Sequence, residues 1–271
     1  MNYFDLHCDT LIKLNKNFTD LAVFQNNLFE NYCQVFSVFI EDSDKTPFKT
    51  YKSLIKTAKK YNINGILSLE NATLLQTNLY RIRRLKKDGI KSVMLTWNGK
   101  NKLAGGALSS GELTKKGRKA VKMLNKYNIA VDLSHLNEKS FYSVLSHAKR
   151  VLASHSNCKS ILDNPRNLTD DQIKAIINKK GVIGLNFYPA FLGDDVFLKI
   201  YENIIHIISL GGENAVSLGS DFDGAEMAPE LDSIIKVKTL YNYLLKKGIE
   251  KKQLDKVFYL NAFNFYNSFD K

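Results

Sequence analysis

The segment Ile63-Asn64-Gly65-Ile66-Leu67-Ser68-Leu69-Glu70 is an apolar run, interrupted by an Asn-Gly turn signal and closed by a carboxylate. Read as a strand inside a barrel, it should not finish on an isolated charge, because burying one is strongly unfavourable. The carboxylate needs a cation. An arginine from the following segment, Arg81, Arg83 or Arg84, could supply it, and so could a metal ion.

The same design recurs along the chain. Apolar, β-branched or aromatic runs stand at about 3–7, 34–40, 63–69, 91–96, 129–133, 150–154, 182–187 and 215–220. Between most of them lie stretches with helical spacing, at 48–60, 73–86, 111–127, 137–147, 169–179, 195–209 and 229–247. Strand-like runs alternating with helices in this way spell an α/β protein, a (β/α)₈ barrel of the TIM type, whose strand C-terminal ends gather at one mouth. The run at 34–40 reads equally well as a buried helical turn. Local punctuation agrees with the periods: Asn62 and Asn64-Gly65 stop one helix, Asn125 to Asn128 stop another, and Thr169 offers an N-cap ahead of Asp170 and Asp171. Residues 251–267 read as a terminal helix packed on the outside of the barrel. The chain shows no internal repeat and no linker rich in Pro, Gly or Ser, so residues 1–271 are expected to form a single barrel domain.

Composition excludes several classes. Hydrophobic residues at 44% and charged residues at 24% belong to a soluble globular protein rather than a disordered or fibrous one. The net charge of +12 raises the question of nucleic acid. However, the lysines lie along helical stretches, such as Lys56, Lys59 and Lys60, or Lys115, Lys116, Lys119 and Lys122, where solvated faces explain them. No basic stripe interleaved with aromatics accompanies the charge, so no nucleic-acid partner is expected. Cys8, Cys33 and Cys158 lack zinc-ribbon or CxxC spacing and fit a reducing compartment. Met1 to Asp5 carries no leader-like basic and apolar regions, and no apolar run approaches the ~20 residues that span a bilayer. A cytoplasmic protein without a membrane partner is expected.

Metal-ligand-type residues close five of the eight runs: His7 with Asp9, then Glu70, His135, His155 and Asp221. His7 and Asp9 are two apart, so on a strand they leave the same face, and imidazole and carboxylate both suit Zn²⁺. Taken singly, each histidine could be a hydrogen-bonded core or N-cap residue. Recurrence at five strand ends favours a metal site. Asp221 opens Asp221-Phe222-Asp223-Gly224, and an acid there, facing an activated water, is suited to shuttle a proton to a leaving nitrogen. Asp223-Gly224 reads as a turn.

Six segments in order carry a resemblance: Asp5-Leu6-His7-Cys8-Asp9-Thr10, Leu69-Glu70-Asn71-Ala72, Val131-Asp132-Leu133-Ser134-His135, Ser154-His155-Ser156, Pro165-Arg166-Asn167-Leu168-Thr169-Asp170 and Gly219-Ser220-Asp221-Phe222-Asp223-Gly224. Together they resemble the renal or membrane dipeptidases, metallopeptidases built on a (β/α)₈ barrel. The resemblance implies two zinc ions, one held by His7 and Asp9, the other by His135 and His155, with Glu70 bridging both and a hydroxide between them. It implies Asp221 as general acid and base and Arg166 as the group that receives the substrate's C-terminal carboxylate, a task suited to a bidentate guanidinium. A solvated loop arginine is the alternative for Arg166. The substrates implied are free dipeptides, including those with a C-terminal D-residue, and the assembly implied is a homodimer.

One position departs from the family pattern. In Leu95-Thr96-Trp97-Asn98, Trp97 stands where the family has a histidine credited with assisting the carbonyl oxygen. Indole donates one hydrogen bond but carries no charge near neutral pH. Oxyanion stabilisation would then rest on the zinc pair, helped by Trp97 or Asn98, or Trp97 would simply wall the pocket. The chain is short for the family, which implies trimmed loops. Rival readings are another amidohydrolase-type reaction, such as deacetylation or lactone hydrolysis, and a barrel that binds metal and ligand without turnover.

Overall fold

The computed structural model describes residues 1–17 and 28–269. Eight parallel strands follow one another in chain order around a closed barrel: β1 (Tyr3–Cys8), β2 (Tyr32–Phe39), β3 (Ile66–Glu70), β4 (Ile90–Met94), β5 (Ala130–Asp132), β6 (Val151–Ala153), β7 (Val182–Leu185) and β8 (Val216–Leu218). All eight expected runs are strands, and the run that could have been a helical turn is β2. The (β/α)₈ barrel is the fold of this chain.

The described residues divide into two compact units, one of residues 1–10, 28–34 and 153–269, the other of Leu11–Asn17 and Val35–Leu152. In the first, β7 and β8 pair from Ile183↔Val216 to Leu185↔Leu218, and β1 joins β8 at Asp5↔Leu218. Leu6, Ile183, Val216 and Leu218 are fully buried there, with Ile200 and Ile204 of the covering helix. In the second, β2 and β3 pair in register from Val35↔Ile66 to Phe39↔Glu70, and β4 continues through Ser92↔Ala130 to β5. Val38, Leu69, Val93 and Val131 form its core. Such strands read as unbroken apolar runs because both faces are covered.

The helices begin and end where local chemistry says they should. α1 (Thr10–Asn15) follows β1 and α2 (Pro47–Lys60) follows β2. α2 runs out just before Asn62, whose φ of 46° is the left-handed conformation that asparagine tolerates. Helices α3 (Arg81–Lys87), α4 (Lys115–Lys126), α5 (Glu138–His147) and α6 (Asp170–Asn178) come next. The Thr169 hydroxyl accepts from the Gln172 amide while the Gln172 side chain returns to the Thr169 amide, a full capping box. Three expected helices differ in detail. The stretch 73–86 is a 3-10 turn at Ala72–Leu75 followed by α3, because the Asn78 side chain takes the Tyr80 amide and restarts the chain. The stretch 229–247 opens with short 3-10 turns before the helix α9 (Val237–Lys246), after α7 (Pro189–Leu192) and α8 (Val196–Ser209). The terminal segment is α10 (Lys251–Asp255), a π-helical turn at Lys256–Leu260 and α11 (Asn261–Asn267). Among the described residues no helix is long and apolar enough to cross a membrane.

Candidate metal centre

In the unit that holds β1, β7 and β8, backbone pairing extends past the strands. The Asp221 amide donates to the His7 carbonyl at 3.1 Å, and the Asp9 amide donates to the Phe222 carbonyl at 2.8 Å. The ends of β1 and β8 are thereby joined. Beneath this junction Asp5 is fully buried and accepts from the Ser220 amide at 2.8 Å, the Ser220 hydroxyl at 2.5 Å and the Gln34 side chain at 2.9 Å. Burial raises its carboxyl above the ordinary carboxylate range, and these hydrogen bonds oppose the rise.

The junction places His7 Nε2 3.5 Å from Asp9 Oδ2 and 3.8 Å from Asp221 Oδ1. Ligating atoms of His7, Asp9 and Asp221 all lie within 4.8 Å of one another, and all three residues are buried. Gly224 makes room for them: a Cβ there would meet Asp9 Oδ2 at 2.2 Å and Asp221 Oδ1 at 2.6 Å. Asp221 sits at φ 65°, a strained conformation for a side-chain-bearing residue and of the kind that collects at functional sites. His155, after β6, stacks on His7 with ring centroids 3.9 Å apart, and its Nδ1 lies 2.8 Å from the Ser154 hydroxyl.

Glu70 ends β3 in the other unit and accepts from the Ser37 hydroxyl of β2 at 2.9 Å. The arginines considered as its partners are engaged elsewhere. Arg84 pairs with Asp88 at 2.7 Å, Arg83 donates to the Tyr127 hydroxyl at 2.9 Å, and Arg81 donates to the Leu74 carbonyl. His135, just past β5, brings its Nε2 to 3.1 Å from Glu70 Oε1, and its Nδ1 lies 2.8 Å from Asn98 Oδ1. Trp97 meets Phe39 edge-on at 5.4 Å and tilts toward the His135 ring at 6.2 Å.

The family model for membrane dipeptidases, peptidase family M19, matches residues 27–269. The chain belongs to the membrane dipeptidase family. Among curated relatives, a protein in the pqqA 5' region of Klebsiella pneumoniae is 35% identical over 64% of this chain and 70% of its own length. Dipeptidase verJ of Clonostachys rogersoniana is 29% identical over 80% of this chain and 56% of its own length. A match to a dipeptidase of Schizosaccharomyces pombe likewise covers 50% of that protein, so the chain spans about half the length of several relatives. Two solved structures share the fold. A dipeptidase described as a metallopeptidase of the same family superposes with TM-score 0.90 at 22% identity, covering 98% of this chain and 97% of its own. A metallopeptidase from Rhodobacter sphaeroides, liganded with a phosphinate mimic of L-Ala-D-Ala, gives 0.89 at 21% identity, covering 98% and 99%.

The family is described as one of membrane dipeptidases, and the first of these structures is described as a metallopeptidase of it, so a metal is the group to test against the residues present. The residues fit such a cofactor. Imidazoles and carboxylates brought together in a buried setting are a donor set for a divalent transition ion, and buried charges of this kind are held by pairing or by metal. Arg166, expected from the resemblance, is 4% exposed, which removes the solvated-loop alternative, and its guanidinium lies over the Phe191 ring at 5.4 Å. Asn167 secures that wall by donating to the Phe191 carbonyl at 2.8 Å.

Sequence reasoning missed three supports. Asn186, next after β7, donates its Nδ2 to Asp221 Oδ2 at 3.0 Å while its Oδ1 accepts the Tyr188 amide at 2.7 Å, which fixes which way the amide faces. Asp5 was quoted only as part of a motif, although it ties β1 to Ser220. Ser37 touches Glu70 from the neighbouring strand. The signal for Ser37 and Asp5 was a polar residue within an apolar run; Asn186 followed Leu185 in the same manner as the recognised strand-end ligands. Asp223, read as a turn residue, accepts from the Thr10 hydroxyl at 2.6 Å.

Proposed function

We propose that this chain works as one zinc-dependent dipeptidase domain that hydrolyses free dipeptides, including those with a C-terminal D-residue. The observation that carries the reading is the buried trio His7, Asp9 and Asp221 at the joined ends of β1 and β8, in a chain of the membrane dipeptidase family. The phosphinate dipeptide mimic bound by the Rhodobacter sphaeroides relative supports the D-residue arm. His7 and Asp9 would hold one zinc, His135 and His155 the other, and Glu70 both. When bound, such a pair supplies an activated water shared between the ions and a Lewis acid for the scissile carbonyl.

The chain's own residues then divide the remaining work. Arg166 receives the substrate's C-terminal carboxylate through its planar fork, with Phe191 beneath the guanidinium to hold its plane. Asp221 accepts the proton that the attacking water sheds and returns it to the departing amine, so that the C–N bond breaks as a C–O bond forms and two amino acids leave. Asn186 donates to Asp221 Oδ2 and so holds the carboxylate with Oδ1 on the His7 side. Trp97 cannot supply a charge to the carbonyl oxygen, so the oxyanion depends on the metal pair.

Three buried or half-buried thiols, Cys8, Cys33 and Cys158, support a reducing, cytoplasmic setting, and the resemblance supports a homodimer, which light scattering tests. The deciding experiment is a zinc-loaded preparation given panels of L,L- and L,D-dipeptides, N-acetylated amino acids and lactones, with zinc content measured alongside. Turnover of dipeptides with two zinc ions bound is expected. Hydrolysis confined to the acetylated or lactone panel transfers the chain to another amidohydrolase reaction, and tight dipeptide binding without turnover makes it a binder.

A further inference from the structure

We infer that Asn98 is a positioning residue for His135: its side-chain carbonyl takes the Nδ1 proton and so keeps Nε2 as the lone-pair nitrogen offered to a divalent cation. The inference rests on the metal-centre reading above and adds to it the residue that sets one ligand's tautomer. The geometry is direct. Asn98 Oδ1 stands 2.8 Å from His135 Nδ1, while Nε2 on the far side of the same ring faces Glu70 Oε1 at 3.1 Å. A neutral imidazole has one N–H and one lone pair, and the hydrogen bond at one nitrogen decides which is which. A metal needs the lone pair on Nε2. The proton must then sit on Nδ1, where only the carbonyl end of the Asn98 amide can accept it, which also settles the orientation of that amide.

The main chain that carries each partner is itself hydrogen-bonded in place. His135 adopts φ 67°, and its carbonyl receives the Ala107 amide at 2.8 Å and the Thr96 hydroxyl at 3.4 Å. On the other side, the Asn98 carbonyl receives the Leu108 amide at 3.0 Å, and the next amide, Gly99, donates to Asp42 Oδ2 at 3.2 Å. Gly106 closes the arrangement, since a Cβ there would meet the Trp97 carbonyl at 2.2 Å and the Asn98 backbone at 2.6 Å. The loop that carries Asn98 is therefore pressed against the loop that carries His135.

The test is zinc affinity, read by competition with a chromophoric chelator, for the wild-type protein and for Asn98→Leu and Asn98→Asp. The wild type is expected to bind two ions. Asn98→Leu should weaken one of the two by ~10–100-fold, the usual loss when a residue supporting a metal ligand is removed. Asn98→Asp, which keeps an acceptor of the same shape, should bind as tightly as the wild type or more so, and the metal-free melting temperatures of all three should agree. If Asn98→Leu holds both ions with wild-type affinity, the inference is wrong. If Asn98→Asp is as weak as Asn98→Leu, the loss comes from general disturbance of the loop and the inference is equally wrong. A wild-type protein that takes up no zinc removes the metal-centre reading and this inference together, whereas normal wild-type loading with an indifferent Asn98→Leu removes this inference alone.

Discussion

The trio His7, Asp9 and Asp221 and the pair Glu70 and His135 are assembled by different means. The trio stands on main-chain hydrogen bonds: the amides of Asp9 and Asp221 join strand ends that include Ser220 and His7, 213 positions apart in sequence. The pair is aimed by side chains, Ser37 on Glu70 and Asn98 on His135. A site built on main chain resists replacement of neighbouring side chains but fails when an added atom forces the backbone apart. A site aimed by side chains is adjustable one residue at a time.

Metal removal bears on both regions at once and should have the largest effect. Dialysis against a chelator is expected to bring dipeptide hydrolysis to background, and added zinc to restore it; activity that survives verified metal loss would break the comparison at its root. Next comes Asp221→Asn, which keeps shape and removes the proton acceptor. We expect kcat to fall by ~10²–10⁴-fold with little change in KM, as for loss of a general acid and base. Steady-state kinetics with matched zinc content would check this.

Gly224→Ala probes the main-chain region directly. The added carbon meets two carboxylates, and displacement by about 1 Å in such a site costs on the order of 100-fold in rate. A thermal melt would establish that the barrel persists, and a variant with normal kcat/KM would show that the trio tolerates movement. Ser37→Ala probes the side-chain region. It should weaken zinc binding by roughly 10-fold while leaving the fold intact, so the contrast with Gly224→Ala is between a tuned affinity and a disrupted geometry.

The smallest effect sets a baseline outside both regions. Burial pushes the Cys33 thiol up to about 11, whereas the unfolded thiol has an ordinary value of 9.0. Below that ordinary value both states hold the proton and pH has no leverage through this group. Between the two values only the unfolded state gives the proton up, so stability should decline as pH rises through that window. The decline should be shallower in Cys33→Ala, as measured by denaturant midpoints at alkaline pH.

Much of this was legible in the chain itself. Most of the strands were visible because they are covered on both faces and therefore read as mainly apolar runs, whereas 34–40 read equally well as a helical turn; the Thr169 cap showed in three adjacent residues. The stretch 73–86 was misread as one helix because its apolar spacing is helical, while the break depends on the Asn78 side chain taking the Tyr80 amide. The ligand-type residues stood out as charges ending apolar runs. Their supports did not. Asn186 reaches Asp221 across 35 positions and Asn98 reaches His135 across 37.

Sequence alone therefore determined the barrel, the order of its strands and which strand ends carry imidazoles and carboxylates. Periodicity and chain termini of strands are local properties, and hydrophobic burial converts them into architecture without further instruction. Only the tertiary structure decided that Asn98 faces a histidine nitrogen, that Asn186 occupies one oxygen of Asp221, and that Asp5 ties β1 to Ser220. Those contacts depend on strand register and on the rotamers of residues far apart in the chain, and a linear pattern of residue types encodes neither.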